Sequence, residues 1–136
     1  MVRTRHDAST YEVLEVTPDS AYLAHFLALH RADIGRTHPK FEGVEIDDLA
    51  FQVLKGDETV GVVAIRRVGD EARVVLDYVT PRYRDFFPGE FVWREAPQLR
   101  ERGFRRVVTP AGMVSPYYDR LDAGFRREGS SYVLEL

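Results

Sequence analysis

Between Leu76 and Phe91 the sequence reads LDYVTPRYRDFFPGEF: a hydrophobic strand, a proline turn, two arginines, then Pro88 and Gly89 ahead of a helical stretch. A helix N-terminus presents amides without intrahelical partners and a partial positive charge. A strand running into a tight loop and then a helix therefore makes an anion cradle. Arg82 and Arg84 would strengthen it through charge-assisted hydrogen bonds; solvated loop arginines are the plainer alternative. Just upstream, Asp77 interrupts an apolar strand, sharing a face with Val75 and Val79, opposite Leu76 and Tyr78. An acid on such a face, once buried, holds its proton more tightly, which suits a base; an edge position or a salt bridge to an arginine are the other readings.

Other side chains carry weaker chemistry. His25 and His30 are five apart on a helix, which misses the i, i+4 spacing that turns two imidazoles to one face, and no carboxylate completes a ligand set. No metal is expected. His38 lies in a long polar connection, Gly35 to Asp48, of the kind that forms binding loops, and could touch a substrate. Glu45, Asp47 and Asp48 form an acidic segment that is either solvated or attractive to a cationic amine. There is no Gly-x-Ser-x-Gly elbow, P-loop or dinucleotide fingerprint.

The elements that must position these groups follow from periodicity. Tyr11, Val13 and Val16 suggest a strand closed by Thr17-Pro18-Asp19-Ser20, a cluster that also starts a helix. Tyr22, Leu23, Phe26, Leu27, Leu29 and Ile34 give that helix an apolar stripe, and Gly35 is expected to end it. Leu49 to Leu54, Thr59 to Arg67 and Ala72 to Thr80, separated by Gly56-Asp57 and Gly69-Asp70, predict a three-stranded antiparallel meander. Glu90 to Arg102 reads as a helix kinked at Pro97, Phe104 to Thr109 as a strand, and Ser115 to Ala123 as a short helix. Phe125 to Glu128 and Tyr132 to Leu136 complete the chain. The order β-α-β-β-β-α-β-α-β-β implies an α/β (α+β) fold, a mixed, mostly antiparallel sheet flanked by helices.

The bulk numbers suit one domain spanning residues 1–136, with residues 1–10 as a polar extension: 136 residues, 44% hydrophobic, no cysteine. A net charge of −3 argues against nucleic acid as a partner, and no stretch approaches membrane-spanning length. A cytoplasmic protein without membrane attachment is expected. A homodimer through a sheet edge or the terminal strands is compatible with the sequence.

The segment Val79-Thr80-Pro81-Arg82-Tyr83-Arg84-Asp85-Phe86-Phe87-Pro88-Gly89 resembles the acyl-CoA-binding signature of the GNAT superfamily of N-acetyltransferases, V-x-P-x-[YH]-[RQ]-x-x-G-x-[GA]. Val79, Pro81, Tyr83, Arg84 and Gly89 match in register. The element order is similar as well, and Ser115-Pro116-Tyr117-Tyr118 through Gly124-Phe125 is similar to the family's last helix and its Gly-Phe ending. The resemblance covers the chain from Tyr11 onward. It implies transfer of acetyl from acetyl-CoA, a co-substrate, to a small-molecule or peptide amine. It also implies a fourth strand splayed from the fifth to receive the pantetheine arm. Cofactor contacts would then come from Tyr78 and Val79 on the strand and from Arg84, Asp85, Phe86, Phe87, Gly89 and Glu90 in the turn. Catalysis would use Tyr118 to protonate the leaving thiolate and Asp77 as base. Phe87 and Pro88 depart from the signature, and Arg120 stands at the family's common tyrosine position, with Tyr117 and Tyr118 upstream of it. A GNAT-like module that binds a ligand or protein without catalysis is the second reading.

Overall fold

The structure is a computed structural model and describes residues 11–83, 89–93, 96–111, 118 and 124–136. Strand β1 (Tyr11–Val16) leads to helices α1 (Ala21–Leu29) and α2 (Arg31–Thr37). Ser20 caps α1, its Oγ accepting from the Leu23 amide at 3.4 Å. The single helix expected up to Gly35 is two. The chain breaks at His30, which leaves helical geometry (φ −104°, ψ 15°), and Gly35 lies inside α2 instead of ending it.

The meander forms where periodicity placed it: β2 (Leu49–Lys55), β3 (Glu58–Val68) and β4 (Glu71–Val79). Gly56 and Gly69 open its two hairpin turns at φ 61° and 62°, a backbone conformation glycine adopts without the penalty other residues meet. A 3₁₀ turn (Pro81–Tyr83) precedes α3 (Gly89–Trp93) and α4 (Ala96–Glu101), and then come β5 (Arg106–Val108), β6 (Arg126–Glu128) and β7 (Ser131–Glu135). Pro97 lies in α4, and residues 94 and 95 just before it, where the expected kink would show, lie outside the described residues. Of the expected helix Ser115 to Ala123, only Tyr118 is among the described residues, and it is helical.

The seven strands form one sheet in the order β1-β2-β3-β4-β5-β7-β6, antiparallel throughout except for the β4–β5 pair. Both faces are covered. Leu23, Phe26 and Ile34 pack on Val62, Leu76 and Tyr78 on one side, and Val92, Trp93 and Leu99 pack on Val63, Ile65 and Val74 on the other. A register shift between Ala64 and Ile65 leaves Val75 as an extra residue in β4. Among the described residues, no helix is long and apolar enough to cross a membrane.

Candidate active site

β4 and β5 run parallel but pair only through Glu71–Arg106, Ala72–Val107 and Arg73–Val108. Past Arg73 no further β4–β5 pair forms, while the ladder to β7 runs on to the Thr109 amide, which donates to Tyr132 O at 3.0 Å. The gap is a cleft of about 1030 Å³ with Val74 to Val79 on one wall and Val108 to Ala111 on the other. The loop Thr37 to Glu45 closes a third side, and Tyr118 lines it too.

Backbone direction decides what β4 offers there. Thr80 N–H donates to Val60 O at 2.9 Å, so alternation turns the backbone groups of Tyr78 toward β3 and those of Asp77 and Val79 toward the cleft. Consistently, His38 Nε2 lies 3.1 Å from the Asp77 carbonyl oxygen. The Tyr78 side chain leaves on the helical face. Its hydroxyl donates to Asp33 Oδ2 at 2.5 Å and stands 3.4 Å from His30 Nδ1. Burial there pushes the His30 imidazole below its ordinary value, since the charged form loses hydration.

The Asp77 side chain points to the opposite face, as strand alternation required, and is 3% exposed. Its Oδ1 accepts from the Gly89 amide at 2.9 Å and its Oδ2 from the Tyr118 hydroxyl at 2.6 Å. The two expected catalytic residues, Asp77 and Tyr118, are thus in direct contact. The first amide of α3 already binds an anion, and that anion is the Asp77 carboxylate. The approach is close enough to demand glycine: a Cβ on Gly89 would lie 2.5 Å from Asp77 Oδ2 and 2.7 Å from Trp93 Nε1. The Tyr118 ring, 1% exposed, packs edge-on to Phe125 at 4.8 Å and stacks on Tyr132 at 5.9 Å. The Gly124-Phe125 ending therefore helps to hold the tyrosine whose tip reaches Asp77.

Of the turn, Arg84, Asp85, Phe86 and Phe87, together with Pro88 and Tyr117, lie outside the described residues, and of Glu90 only its place in α3 is described. Arg82 is exposed and faces Glu58 at 4.0 Å, to which Tyr83 also donates at 3.1 Å. Asp48, read as part of a solvated acidic segment, is buried instead and takes a two-point bond from Arg66 at 2.9 Å, a partnership that holds the guanidinium above its ordinary value. Among the described residues, no group of three or more metal-ligating side chains comes together.

Solved structures match this arrangement across nearly the whole chain. The GNAT domain of S. lividans PAT aligns at TM-score 0.57 and 21% identity, over 93% of this chain and 90% of that one. The fold is the GNAT fold. The acetyltransferase from Streptococcus agalactiae aligns at TM-score 0.56 and 17% identity, covering 93% of this chain and 99% of its own. The PaiA N-acetyltransferase from Thermoplasma acidophilum, in complex with coenzyme A, aligns at TM-score 0.64 and 13% identity, with coverage of 93% and 99%. No protein-family model matches the sequence, and no curated protein matches it. The GNAT likeness is thus carried by the course of the backbone.

Proposed function

We propose that the chain is an acyl-CoA-dependent N-acyltransferase that moves acetyl from acetyl-CoA to an amine. The observation that carries this reading is the cleft between β4 and β5, into which the backbone groups of Asp77 and Val79 turn and which Tyr118 lines. An extended amide-bearing arm fits such an edge as an added strand would, and neighbours of this fold include a coenzyme A complex. Bound there, acetyl-CoA supplies an acyl group on a thioester.

In this reading the arm lies along the β4 wall of the cleft, and Tyr78 positions the strand from behind through Asp33. The turn from Arg84 to Glu90 supplies contacts to the phosphates, with Arg84 as its cation, as the signature implies. Tyr118 keeps a proton at its hydroxyl beside the cleft, for the leaving sulfur. Asp77, expected as the base, has both carboxylate oxygens engaged by Gly89 and Tyr118, and so works as a positioning residue that ties the start of α3 to Tyr118.

Isothermal titration with acetyl-CoA tests the reading. The wild type is expected to bind in the micromolar range, Arg84→Ala to bind at least tenfold more weakly, and thiol release to accelerate with at least one amine from a panel of amino acids, polyamines and peptides. Absence of binding in the wild type, with binding gained in Phe87→Gly, would instead establish a closed cofactor site and a non-catalytic module.

A further inference from the structure

Among the described residues, three cations line the cleft: Lys40, Arg66 and Arg73. Arg66 is spent. Its Nε and Nη2 donate to Asp48 at 2.9 Å and its Nη1 faces Glu45 at 3.5 Å, which commits all three nitrogens. Lys40 reaches the Ala111 carbonyl on the opposite rim at 3.5 Å. Arg73 differs. Its Nε donates to Glu71 Oε1 at 3.1 Å, and among the described residues its Nη1 and Nη2 meet no acceptor. Glu71 is itself fixed, because its Oε2 accepts from Arg106 Nη1 at 3.4 Å on the paired strand. The Glu71 carboxylate thus anchors one edge of the guanidinium and leaves the two-pronged end for the cleft, which Arg73 lines and Glu71 does not. A fork of this kind matches the two oxygens of a carboxylate. Glu42 and Glu45 line the same cleft; Glu45 is taken by Arg66, whereas Glu42 is exposed and has no ion pair among the described residues. One uncommitted guanidinium and one uncommitted carboxylate are the complement of a zwitterion.

We propose that the acceptor is a small amino acid and that Arg73 determines this specificity, its Nη1 and Nη2 holding the carboxylate while the amino group faces the thioester. The assignment rests on the acyl-transfer reading above and names the acceptor class. Position supports it. Arg73 is the last residue of β4 paired with β5, so it stands where the cleft closes. An arm with its phosphates beyond Val79 brings its thioester down the β4 wall toward this end. Arg66, opposite Arg73 in the β3–β4 register, does not compete for the carboxylate, because Asp48 and Glu45 occupy it. Glu42 draws in the ammonium form, which gives up one proton to solvent before attack. The amino nitrogen then forms a C–N bond to the acetyl carbon as the C–S bond breaks. The nitrogen releases a second proton to solvent, the sulfur takes one from Tyr118, and Tyr118 recovers its own from solvent, leaving an N-acetylamino acid and coenzyme A. A polyamine, lacking the carboxylate, would bring a cation against Arg73 instead.

Two measurements test the assignment. The side-chain Nε–H signal of Arg73, assigned with Arg73→Gln in nitrogen-15-labelled protein, is followed during titration with amino acids and with the amines that remain when their carboxylate is removed. The pairs are phenylalanine with phenethylamine, leucine with isoamylamine and lysine with cadaverine. At least one amino acid is expected to move the signal to saturation, and its amine to leave it in place. In parallel, thiol release from acetyl-CoA is measured with the same pairs. The wild type should favour the amino acid of a pair. Arg73→Gln, tolerable at a side chain 56% exposed, should cut that preference through KM. The expected loss is about 10- to 100-fold, the usual worth of hydrogen bonds to a charged group. Arg73→Lys, which keeps the charge without the fork, should recover only part of it. General damage to the fold would lower both members of a pair alike. An Arg73 signal unmoved by every amino acid, or a preference unchanged in Arg73→Gln, overturns the assignment. Failure of the wild type to bind acetyl-CoA in calorimetry overturns the underlying acyl-transfer reading, and the Arg73 signal registers the amino acid independently of it.

Discussion

A buried carboxylate is tolerated only when its oxygens are satisfied, and Asp77 meets that demand by reaching across the fold to Gly89 and Tyr118. The acid was legible in the sequence because it interrupts an apolar strand. Its partners were not, since they lie 12 and 41 residues away and nothing local links them. Tyr118→Phe keeps the ring packing on Phe125 and Tyr132 but removes a donor from the carboxylate. Urea unfolding should show a loss of about 1–3 kcal/mol, the usual cost of leaving a buried polar group short of a partner. Gly89→Ala forces a methyl group into the 2.5 Å space before Asp77 Oδ2 and should cost about 1–3 kcal/mol as an overpacked site. The double variant Gly89→Ala, Tyr118→Phe should cost less than the sum, because both changes break the same junction. Additive losses would show that Asp77 does not couple the two.

At the level of elements, the meander was readable because period-two hydrophobicity and Gly-Asp turns agree, and each hairpin is local in sequence. The break between α1 and α2 was not. Its residue, His30, continues a helical pattern, and only the tertiary demand to bring His30 and Asp33 around the Tyr78 hydroxyl distinguishes it. That demand makes the junction pH-sensitive. Burial lowers the folded-state value of His30 below its unfolded 6.5, so as pH falls through 6.5 the unfolded chain takes up the proton first. The contribution of the junction is therefore complete above pH 6.5 and is lost as pH falls toward the lower folded value. The urea midpoint of the wild type should drop across this window, and His30→Gln should flatten that part of the profile; a parallel drop in both proteins would remove His30 as the cause.

For the whole molecule, the splay of β4 from β5 is a cost that the sheet bears in one place. Past Arg73 the cleft-facing backbone groups of β4 have no β5 ladder, while both faces of the same strand are packed by helices. The cleft could not be read from composition, because it depends on where the β4–β5 pairing stops, after Arg73 and Val108, and no local pattern marks that point. The family resemblance anticipated it, through the turn signature, the element order and the Gly-Phe ending together. A ligand that completes the edge binds only the folded chain and must stabilise it by mass action, by about 2.7 kcal/mol at a concentration 100-fold above its dissociation constant. Acetyl-CoA should therefore raise the thermal midpoint in a concentration-dependent way. Val79→Pro removes the backbone N–H at the end of β4 that turns away from β3. It should abolish most of the acetyl-CoA-dependent rise. If the rise survives in Val79→Pro, the arm is not held by the open edge of β4, and the phosphate turn alone carries the binding.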